Sequence, residues 1–305
     1  MERIASIDVG SNTLRLLVAE KKKEAFQVLF RDREIVRLGR NFFPDRLLLP
    51  QTIEAAVKVL KRFKAEVDHA GVQRVVTAGT GVLRQAKNIS FFLNEVEAQT
   101  GIAIRVLSGL EEAALMTKGV LSIFPPTGQK TVIFDSGGGS TEFVFLDRGQ
   151  VEYRGSLPLG VVGLTEEFLK SDPPTSGQAR ALREFSGKIL RKNLAGNDKK
   201  LRLIGTAGTV TTLAAMVTRL AEYDPERING LVLTRGPLEG LLQTILSLPG
   251  KERAGLRGLE PGRADIIPAG LLLVLEIMEY FSQDSLLVSD AGLLEGMILE
   301  ETFCV

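Results

Sequence analysis

The sequence carries the same short motif twice, about half a chain apart. Residues 7–13 read IDVGSNT and residues 134–141 read FDSGGGST, so each copy is a strand end, an aspartate, a glycine turn and a hydroxyl residue before a second apolar stretch. Asp8 and Asp135 lie 127 positions apart in a chain of 305 residues. A repeat on this scale predicts two similar α/β domains facing each other across a cleft, with one aspartate approaching from each side.

Each glycine turn has the chemistry of an anion-binding site. Glycine lets the backbone approach a phosphate closely, and successive N–H groups of residues 10–12 and 137–140 can converge on one oxygen. A third turn, GTAGTVTT at 205–212, opens a predicted helix, whose N-terminus also favours anions. Arg84 follows a strand end and could hold a phosphate or form a surface salt bridge. The candidate phosphate-binding residues are Asp8, Gly10, Ser11, Asn12, Thr13, Arg84, Gly137, Gly138, Gly139, Ser140, Gly205, Thr206 and Gly208.

Acidic side chains near these turns are the candidate metal ligands and catalytic groups. Asp8, Asp135 and Glu142 lie at or just beyond the turns, where hard oxygen ligands could hold Mg²⁺ against phosphate oxygens. Glu111 and Glu112 open a predicted helix, and Glu111 stands at the capping-box position. Glu112 is then freer to face a substrate, where a carboxylate can orient or deprotonate an attacking water.

The composition of the chain argues against several classes of protein and of metal site. Lys and Arg number 38 and Asp and Glu 37, a balance that gives no global field for nucleic acid. One cysteine, Cys304, and one histidine, His69, exclude a cysteine zinc site and a multi-histidine metal site. The N-terminus, MERIASIDVGSN, lacks the apolar region of a signal peptide, and no apolar run approaches about 20 residues. We therefore expect a cytoplasmic protein without nucleic-acid or membrane partners.

Apolar periodicity and turn signals predict alternating strands and helices. A break at PPTG, residues 125–128, places the domain boundary near 119–128. We predict one domain at 1–120, a second at 121–291, and a C-terminal helix at about 292–305 that packs back on the first. Strands are predicted at 3–9, 13–19, 25–35, 72–78, 102–107, 130–134, 141–146, 151–156, 201–204 and 285–288. Helices are predicted at 51–70, 88–100, 108–121, 161–170, 176–194, 237–247, 262–281 and 292–303, and a helix of small residues is predicted after the turn at 205–209.

Eight segments resemble one known family, in its order and over nearly the whole chain. The chain has neither a Walker A sequence nor GxGxxG after its first strand, so P-loop and Rossmann interpretations are weak. It resembles the exopolyphosphatase/guanosine pentaphosphate phosphohydrolase (Ppx/GppA) family of the actin-like ATPase and sugar kinase superfamily. The matching segments are IDVGSNTLRLLVA (7–19), TAGTGVLRQAKN (77–88), VLSGLEEA (106–113), FDSGGGSTE (134–142), LPLGVVGLTEEF (157–168), GTAGTVTTLAAM (205–216), RADIIPAG (263–270) and SDAGLLEGMI (289–298).

The resemblance implies a fold and a reaction. The fold is α/β, with two ribonuclease-H-like domains of the actin-like ATPase type flanking a central cleft. The reaction is Mg²⁺-dependent release of terminal orthophosphate from inorganic polyphosphate or guanosine pentaphosphate (pppGpp). By motif, Glu112 resembles the base that activates water, and Asp135 and Glu142 resemble metal-binding or water-positioning carboxylates. The two repeated turns resemble phosphate cradles, and Arg84 resembles a contact to a substrate phosphate.

Three positions depart from the family pattern. Ser136 stands where isoleucine is usual, and Gly163 and Leu294 stand where arginines are usual, so two cationic contacts that could serve the substrate are missing. The resemblance is to a short form, without the C-terminal helical domains of longer members. Two other interpretations share the phosphate turns: an actin-like ATPase or sugar kinase, and a non-catalytic sensor that binds pppGpp. Apolar helices near the C-terminus leave room for a homodimer.

Overall fold

The computed structural model describes residues 2–22, 25–194 and 200–303. Cys304, which the sequence analysis singled out, lies outside these residues. The strands that follow the repeated motif are long and paired, whereas several others are short. The strands are β1 (Arg3–Val9), β2 (Thr13–Lys21), β3 (Phe26–Ile35), β4 (Arg74–Gly79), β5 (Arg105–Val106), β6 (Thr131–Ser136), β7 (Thr141–Asp147), β8 (Gln150–Leu157), β9 (Arg202–Thr206), β10 (Val232–Thr234) and β11 (Ser285–Val288).

Helices alternate with these strands, and their ends follow local signals. Gly101 closes its helix in the left-handed conformation, as the sequence predicts. Thr175 caps another helix, with a capping box formed by Gln178. The helices are α1 (Pro50–His69), α2 (Ile89–Thr100), α3 (Gly109–Ile123), α4 (Val161–Phe168), α5 (Ser176–Asn193), α6 (Ala207–Val217), α7 (Pro225–Ile228), α8 (Arg235–Ser247), α9 (Gly250–Arg253), α10 (Ile267–Tyr280) and α11 (Leu293–Phe303).

The chain divides into two compact units. The N-terminal unit consists of Met1–Ser122 and Gly292–Val305, and the C-terminal unit consists of Ile123–Ala291. The first contains a sheet of order β3-β2-β1-β4-β5, and the second a sheet of order β10-β11-β9-β6-β7-β8. In each, three antiparallel strands in sequence (β1–β3, β6–β8) are followed by a strand parallel to the first (β4, β9). The repeated motif therefore stands at the same hairpin of two similar sheets.

Apolar burial holds each unit together. In the N-terminal unit, α1 presents Ile53, Val57, Leu60 and Phe63 to the sheet, and these residues recur at the spacing of one helix face. In the C-terminal unit, α10 is buried over nearly its whole length among α4, α5, α6 and α8. A helix whose buried side chains are almost all apolar belongs in the middle of a core, and the buried charge of Glu276 is paired with Arg183.

Two predicted elements are shorter by four residues or more than the sequence suggests. The predicted strand at 102–107 is reduced to β5, because only Arg105 and Val106 pair with β4, while Ile102 packs into the core. The predicted helix at 262–281 begins at Ile267, with Pro268 in its first turn, where proline's missing N–H costs nothing. No helix within the described residues has both the length and the apolar character needed to cross a membrane.

Candidate active site

The hairpin between β1 and β2 forms the first glycine turn. The backbone N–H of Gly10 donates to the carbonyl of Thr13 over 3.2 Å, which closes the turn. The hydroxyl of Ser11 accepts from the backbone N–H of Val82 over 2.9 Å. Val82 belongs to a short 3-10 helix, Gly81–Arg84, which follows β4. The turn is thus fixed to the segment that carries Arg84.

The carboxylate of Asp8 already has two partners. Arg15 Nη2 and Nε donate to Asp8 Oδ2 over 2.6 and 2.9 Å, and Thr80 Oγ1 donates to Asp8 Oδ1 over 3.1 Å. The Asp8 side chain is only 4% exposed. Because a guanidinium compensates this buried charge, the surroundings of Asp8 suit a positioning group better than a metal ligand.

The hairpin between β6 and β7 forms the second glycine turn with the same geometry. The backbone N–H of Gly137 donates to the carbonyl of Ser140 over 3.0 Å, as Gly10 does to Thr13. The start of α4 supports this turn, because Val161 and Val162 donate their N–H groups to the carbonyls of Gly137 and Gly138 over 3.1 and 3.0 Å.

A close backbone contact also holds the second turn in place. A β-carbon at Gly160 would overlap the backbone of Gly138 and Gly139. The loop before α4 therefore reaches the glycines of the turn only because residue 160 has no side chain.

The two repeats differ in the residue that faces the aspartate. Register pairs Asp8 with Arg15 and Asp135 with Glu142. Directly opposite residues of an antiparallel pair share one face of the sheet, and like charges there destabilise the pair. The N-terminal copy is therefore compensated internally, whereas the C-terminal copy places two carboxylates side by side, as a site for a divalent cation requires.

Hydroxyl groups orient Glu142. Ser140 Oγ and Ser156 Oγ each donate to Glu142 Oε1 over 2.7 Å, and the glutamate is 1% exposed. Ser156 lies on β8, directly opposite Glu142 in the register. These two hydrogen bonds hold the carboxylate beside the turn.

The third glycine turn joins β9 to α6. Ala207 has a φ of 68°, a conformation that an L-residue adopts at a cost, and such residues concentrate at functional turns. Thr209 Oγ1 donates to the carbonyl of Ser136 over 2.8 Å, which ties this turn to the second one. The hydroxyl of Thr206 donates to the carbonyl of Ala291 over 3.0 Å, so at Thr206 the backbone is the better phosphate donor.

A buried cation adjoins the third turn. A β-carbon at Gly208 would overlap the guanidinium of Arg263, which is 7% exposed and forms an ion pair with Glu260. The guanidinium thus lies against the N-terminal end of α6. The helix N-terminus favours a phosphate, and the guanidinium, although paired with Glu260, adds N–H donors beside it.

The adjacent glutamates at the start of α3 have different surroundings. Glu111 forms the predicted capping box: its carboxylate accepts from the N–H of Ser108 over 2.8 Å, and its own N–H donates to Ser108 Oγ over 3.2 Å. Glu112 is 7% exposed and forms an ion pair with Arg84. The structure thus brings together the candidate base and the candidate phosphate contact.

The capping of α3 predicts a pH dependence of stability. The Ser108 backbone N–H, then the Ser108 hydroxyl and Arg105, lower the pKa of Glu111 to about 2. Because this pKa is depressed in the folded state, the stabilisation is present above the unfolded pKa of about 4.3 and is lost as pH falls towards 2. In urea unfolding between pH 5 and 2, we expect Glu111→Gln to lose less stability than the parent protein. Parallel curves for the two proteins would contradict this.

Comparison with known proteins decides the family. A family model described as the Ppx/GppA phosphatase family matches residues 17–303. The chain belongs to the Ppx/GppA phosphatase family. This match confirms the resemblance seen in the sequence. Because the family is one of phosphatases, the chain is a hydrolase. The α/β fold class, with two domains of the actin-like type, is also confirmed.

Relatives in the Ppx/GppA family carry several names. Exopolyphosphatase 2 of Mycobacterium tuberculosis is 32% identical over 317 residues, 98% of this chain and 98% of the relative. A bifunctional 3-dehydroquinate synthase/phosphatase of Fusobacterium nucleatum is 33% identical over 97% of this chain, which spans about half (46%) of that relative. A guanosine-5'-triphosphate,3'-diphosphate pyrophosphatase of Aeromonas salmonicida is 28% identical over 96% of this chain and 58% of its own length.

A solved structure of the same family agrees with the fold. The crystal structure of the Aquifex aeolicus Ppx/GppA member is 36% identical and covers 99% of this chain and 98% of its own, with a TM-score of 0.82. The two-unit architecture of this chain is thus that of a Ppx/GppA enzyme.

Sequence reasoning missed three residues whose side chains lie against the candidate site residues: Arg15, Ser156 and Arg263. Arg15 could have been found, since it lies at the same distance from Asp8 as Glu142 from Asp135. Ser156 meets Glu142 through strand pairing, which no local pattern reveals. Arg263 opens the RADIIPAG segment, but its place against Gly208 depends on packing between distant segments.

One departure from the usual Ppx/GppA sequence has a structural explanation. Leu294 is 6% exposed and packs with Ile4, Leu17 and Met297 in an apolar cluster of the N-terminal unit. A leucine here contributes core packing.

Proposed function

We propose that this protein hydrolyses the terminal phosphoanhydride bond of inorganic polyphosphate, with pppGpp as a second candidate substrate. The observation that carries the proposal is the repeated glycine turn, whose C-terminal copy places Asp135 opposite Glu142. The names of the relatives support the substrate class, and the one named exopolyphosphatase 2 is the more similar to this chain of the two substrate-named relatives, at 32% against 28% identity.

Backbone amides and arginines bind the phosphates in this proposal. The turns at 10–13, 137–140 and 205–208 supply N–H groups other than those of Gly10 and Gly137, which close their own turns. Arg263, paired with Glu260, lies beside the third turn. Arg84 orients Glu112 through their ion pair and contacts the substrate phosphate. Asp8 fixes the first turn through Arg15 and Thr80, so we assign it a positioning role in place of metal binding.

A divalent cation, most simply Mg²⁺, fits the C-terminal turn. No three acidic, histidine or cysteine residues gather into a metal cage within the part of the chain that the structure describes. Mg²⁺ binds through one or two carboxylates together with substrate phosphates, and Asp135 and Glu142 form such a pair. When bound, the cation would neutralise charge on the phosphate oxygens.

Glu112 is the proposed general base. Its carboxylate accepts a proton from water as the water oxygen attacks the terminal phosphorus. The bond from this phosphorus to the bridging oxygen breaks, and its electron pair leaves with that oxygen on the shortened chain. The phosphoryl group departs as orthophosphate, and positioned donors stabilise the charge that develops on its oxygens.

Phosphate release from two substrates tests the proposal. We expect orthophosphate from long-chain polyphosphate in Mg²⁺ and at least about a 100-fold lower rate in EDTA, because the two carboxylates need the cation to hold the phosphate oxygens. The ratio of kcat/KM values for polyphosphate and pppGpp identifies the preferred substrate. Tight pppGpp binding without release would favour a sensor, and ADP formation from ATP alone would favour an ATPase or kinase.

The same proposal includes the cellular setting expected from the sequence. The enzyme acts in the cytoplasm on a small or polymeric phosphate substrate, without nucleic-acid or membrane partners. We also propose that the protein forms a homodimer through its C-terminal helices. Analytical ultracentrifugation at micromolar protein concentration measures this oligomeric state.

A further inference from the structure

We propose that Arg40, Arg46 and Lys87 bind the trailing phosphates of a long polyphosphate, and that they make the enzyme prefer long chains. The inference rests on the proposed hydrolase function and adds a binding surface outside the turns. We call this surface the basic ribbon, defined as residues 36–48 together with Lys87. Three observations support it: the attachment of the ribbon to the first glycine turn, and the lack of partners and the exposure of the Arg40, Arg46 and Lys87 side chains.

The basic ribbon is bonded directly to the first glycine turn. The N–H groups of Val36 and Arg37 donate to the carbonyl of Asn12 over 3.0 and 2.9 Å, and the N–H of Gly39 donates to the carbonyl of Ser11 over 2.7 Å. A β-carbon at Gly39 would lie 3.3 Å from that carbonyl oxygen. The first residues of the ribbon therefore pack directly against the glycine turn, and no other element lies between them.

The far end of the ribbon is bonded to the segment that follows Arg84. The N–H of Lys87 donates to the carbonyl of Arg46 over 2.9 Å. Asn88 forms two hydrogen bonds with Leu48, over 3.0 Å to its N–H and 2.9 Å to its carbonyl. The ribbon thus runs from the phosphate turn to the chain just beyond Arg84 and is fixed at both ends.

Three cationic side chains of the ribbon, those of Arg40, Arg46 and Lys87, are available to a ligand. Arg40, Arg46 and Lys87 are exposed. Among the described residues, none of their side chains forms an ion pair or a hydrogen bond. The ribbon contains one acidic residue, Asp45, so its basic residues outnumber its acidic residues. Most other arginines near the first sheet are paired, such as Arg62 with Asp32 and Glu34.

Unpaired cations beside a phosphate turn favour a ligand that continues past the turn. A polyphosphate carries a negative charge on every unit, so its length decides how many cations it meets. A short substrate fills the turns alone, whereas a long one also reaches the ribbon. Each contact releases counterions, and the preference for long chains must therefore weaken as salt rises.

The test compares two triple variants on two substrate lengths. One is Arg40→Ala/Arg46→Ala/Lys87→Ala, and the matched control, Lys58→Ala/Lys61→Ala/Lys64→Ala, removes the same charge from α1. We expect the ribbon variant to lower kcat/KM for long-chain polyphosphate about tenfold or more, and for tripolyphosphate by less than about threefold. For long-chain polyphosphate, the slope of log(kcat/KM) against the logarithm of salt concentration should be less negative by about two in this variant, because each of the three removed cations contributes ~0.7 to the slope. We expect no change in the control variant.

Direct binding separates this inference from the proposed function. We would measure the Kd of long-chain polyphosphate in EDTA for the parent and both triple variants, and expect about a tenfold rise in the ribbon variant alone. If the parent releases no phosphate but this rise occurs, the hydrolase proposal fails and the ribbon stands. Equal Kd values, or equal losses in ribbon and control variants, would overturn the ribbon in either case.

Discussion

Glu112→Gln is expected to lower turnover at least about 100-fold while substrate binding is retained. Glutamine keeps the shape of the side chain and can still contact Arg84, but it cannot take a proton from water. Since Glu112 is buried beside Arg84 and the first turn is fixed to the segment carrying that arginine, we expect no change in the phosphate contacts. Steady-state phosphate release measures kcat, and equilibrium binding of polyphosphate in EDTA measures Kd.

The preceding residue supplies a matched control for this variant. Glu111→Gln is the same chemical change one position earlier, at a capping residue whose side chain is 43% exposed. We expect its turnover to match that of the parent at neutral pH. Near-normal turnover in Glu112→Gln would remove Glu112 from the role of base, and equal losses in both variants would point to damage at the start of α3.

Gly296→Ala is expected to destabilise the N-terminal unit by about 3 kcal/mol or more, with a fall in Tm of roughly 6–12 °C. Helices α3 and α11 cross at glycines, where a β-carbon on Gly296 would overlap the carbonyl of Leu115 and one on Gly119 would overlap the carbonyl of Gly292. Backbone atoms cannot rotate away as a side chain can, so the two helices must separate. Thermal unfolding followed by circular dichroism measures the change.

Another helical glycine gives the control for the crossing. Gly240 lies in the exposed part of α8, and a β-carbon there would have no atom within 4 Å. Gly240→Ala should therefore raise stability by about 0.5–1 kcal/mol, because alanine has the better helix propensity. If Gly296→Ala behaved in the same way, the close crossing of α3 and α11 would be contradicted.

Local chemistry in the sequence determined much of the fold. The aspartate and glycine turns predict both hairpins, and the structure has the first strand end at Val9 and the second begin at Thr13. The Ser108 and Glu111 pair predicts the start of α3, and Gly101 predicts the end of α2. These features depend on residues within a few positions of one another, so a single sequence is enough to reveal them.

The repeat itself also determined the two matching glycine turns, one in each unit. Both aspartates precede glycine turns of the same hydrogen-bond geometry, as the matching motifs predict. The sequence also shows that Arg15 follows Asp8, and Glu142 follows Asp135, at the same spacing. Only the strand register shows that each of these residues lies directly opposite its aspartate, on the same face of its sheet.

Tertiary structure alone decided which distant side chains meet. Arg84 reaches Glu112 from 28 positions away, and Arg263 lies against Gly208 from a separate segment. The ribbon at 36–48 lies outside the repeated motif, yet it is bonded to the first glycine turn. Such contacts depend on how apolar faces of remote elements are buried together. Burial is a property of the whole chain, whereas turns and caps are properties of a few neighbouring residues.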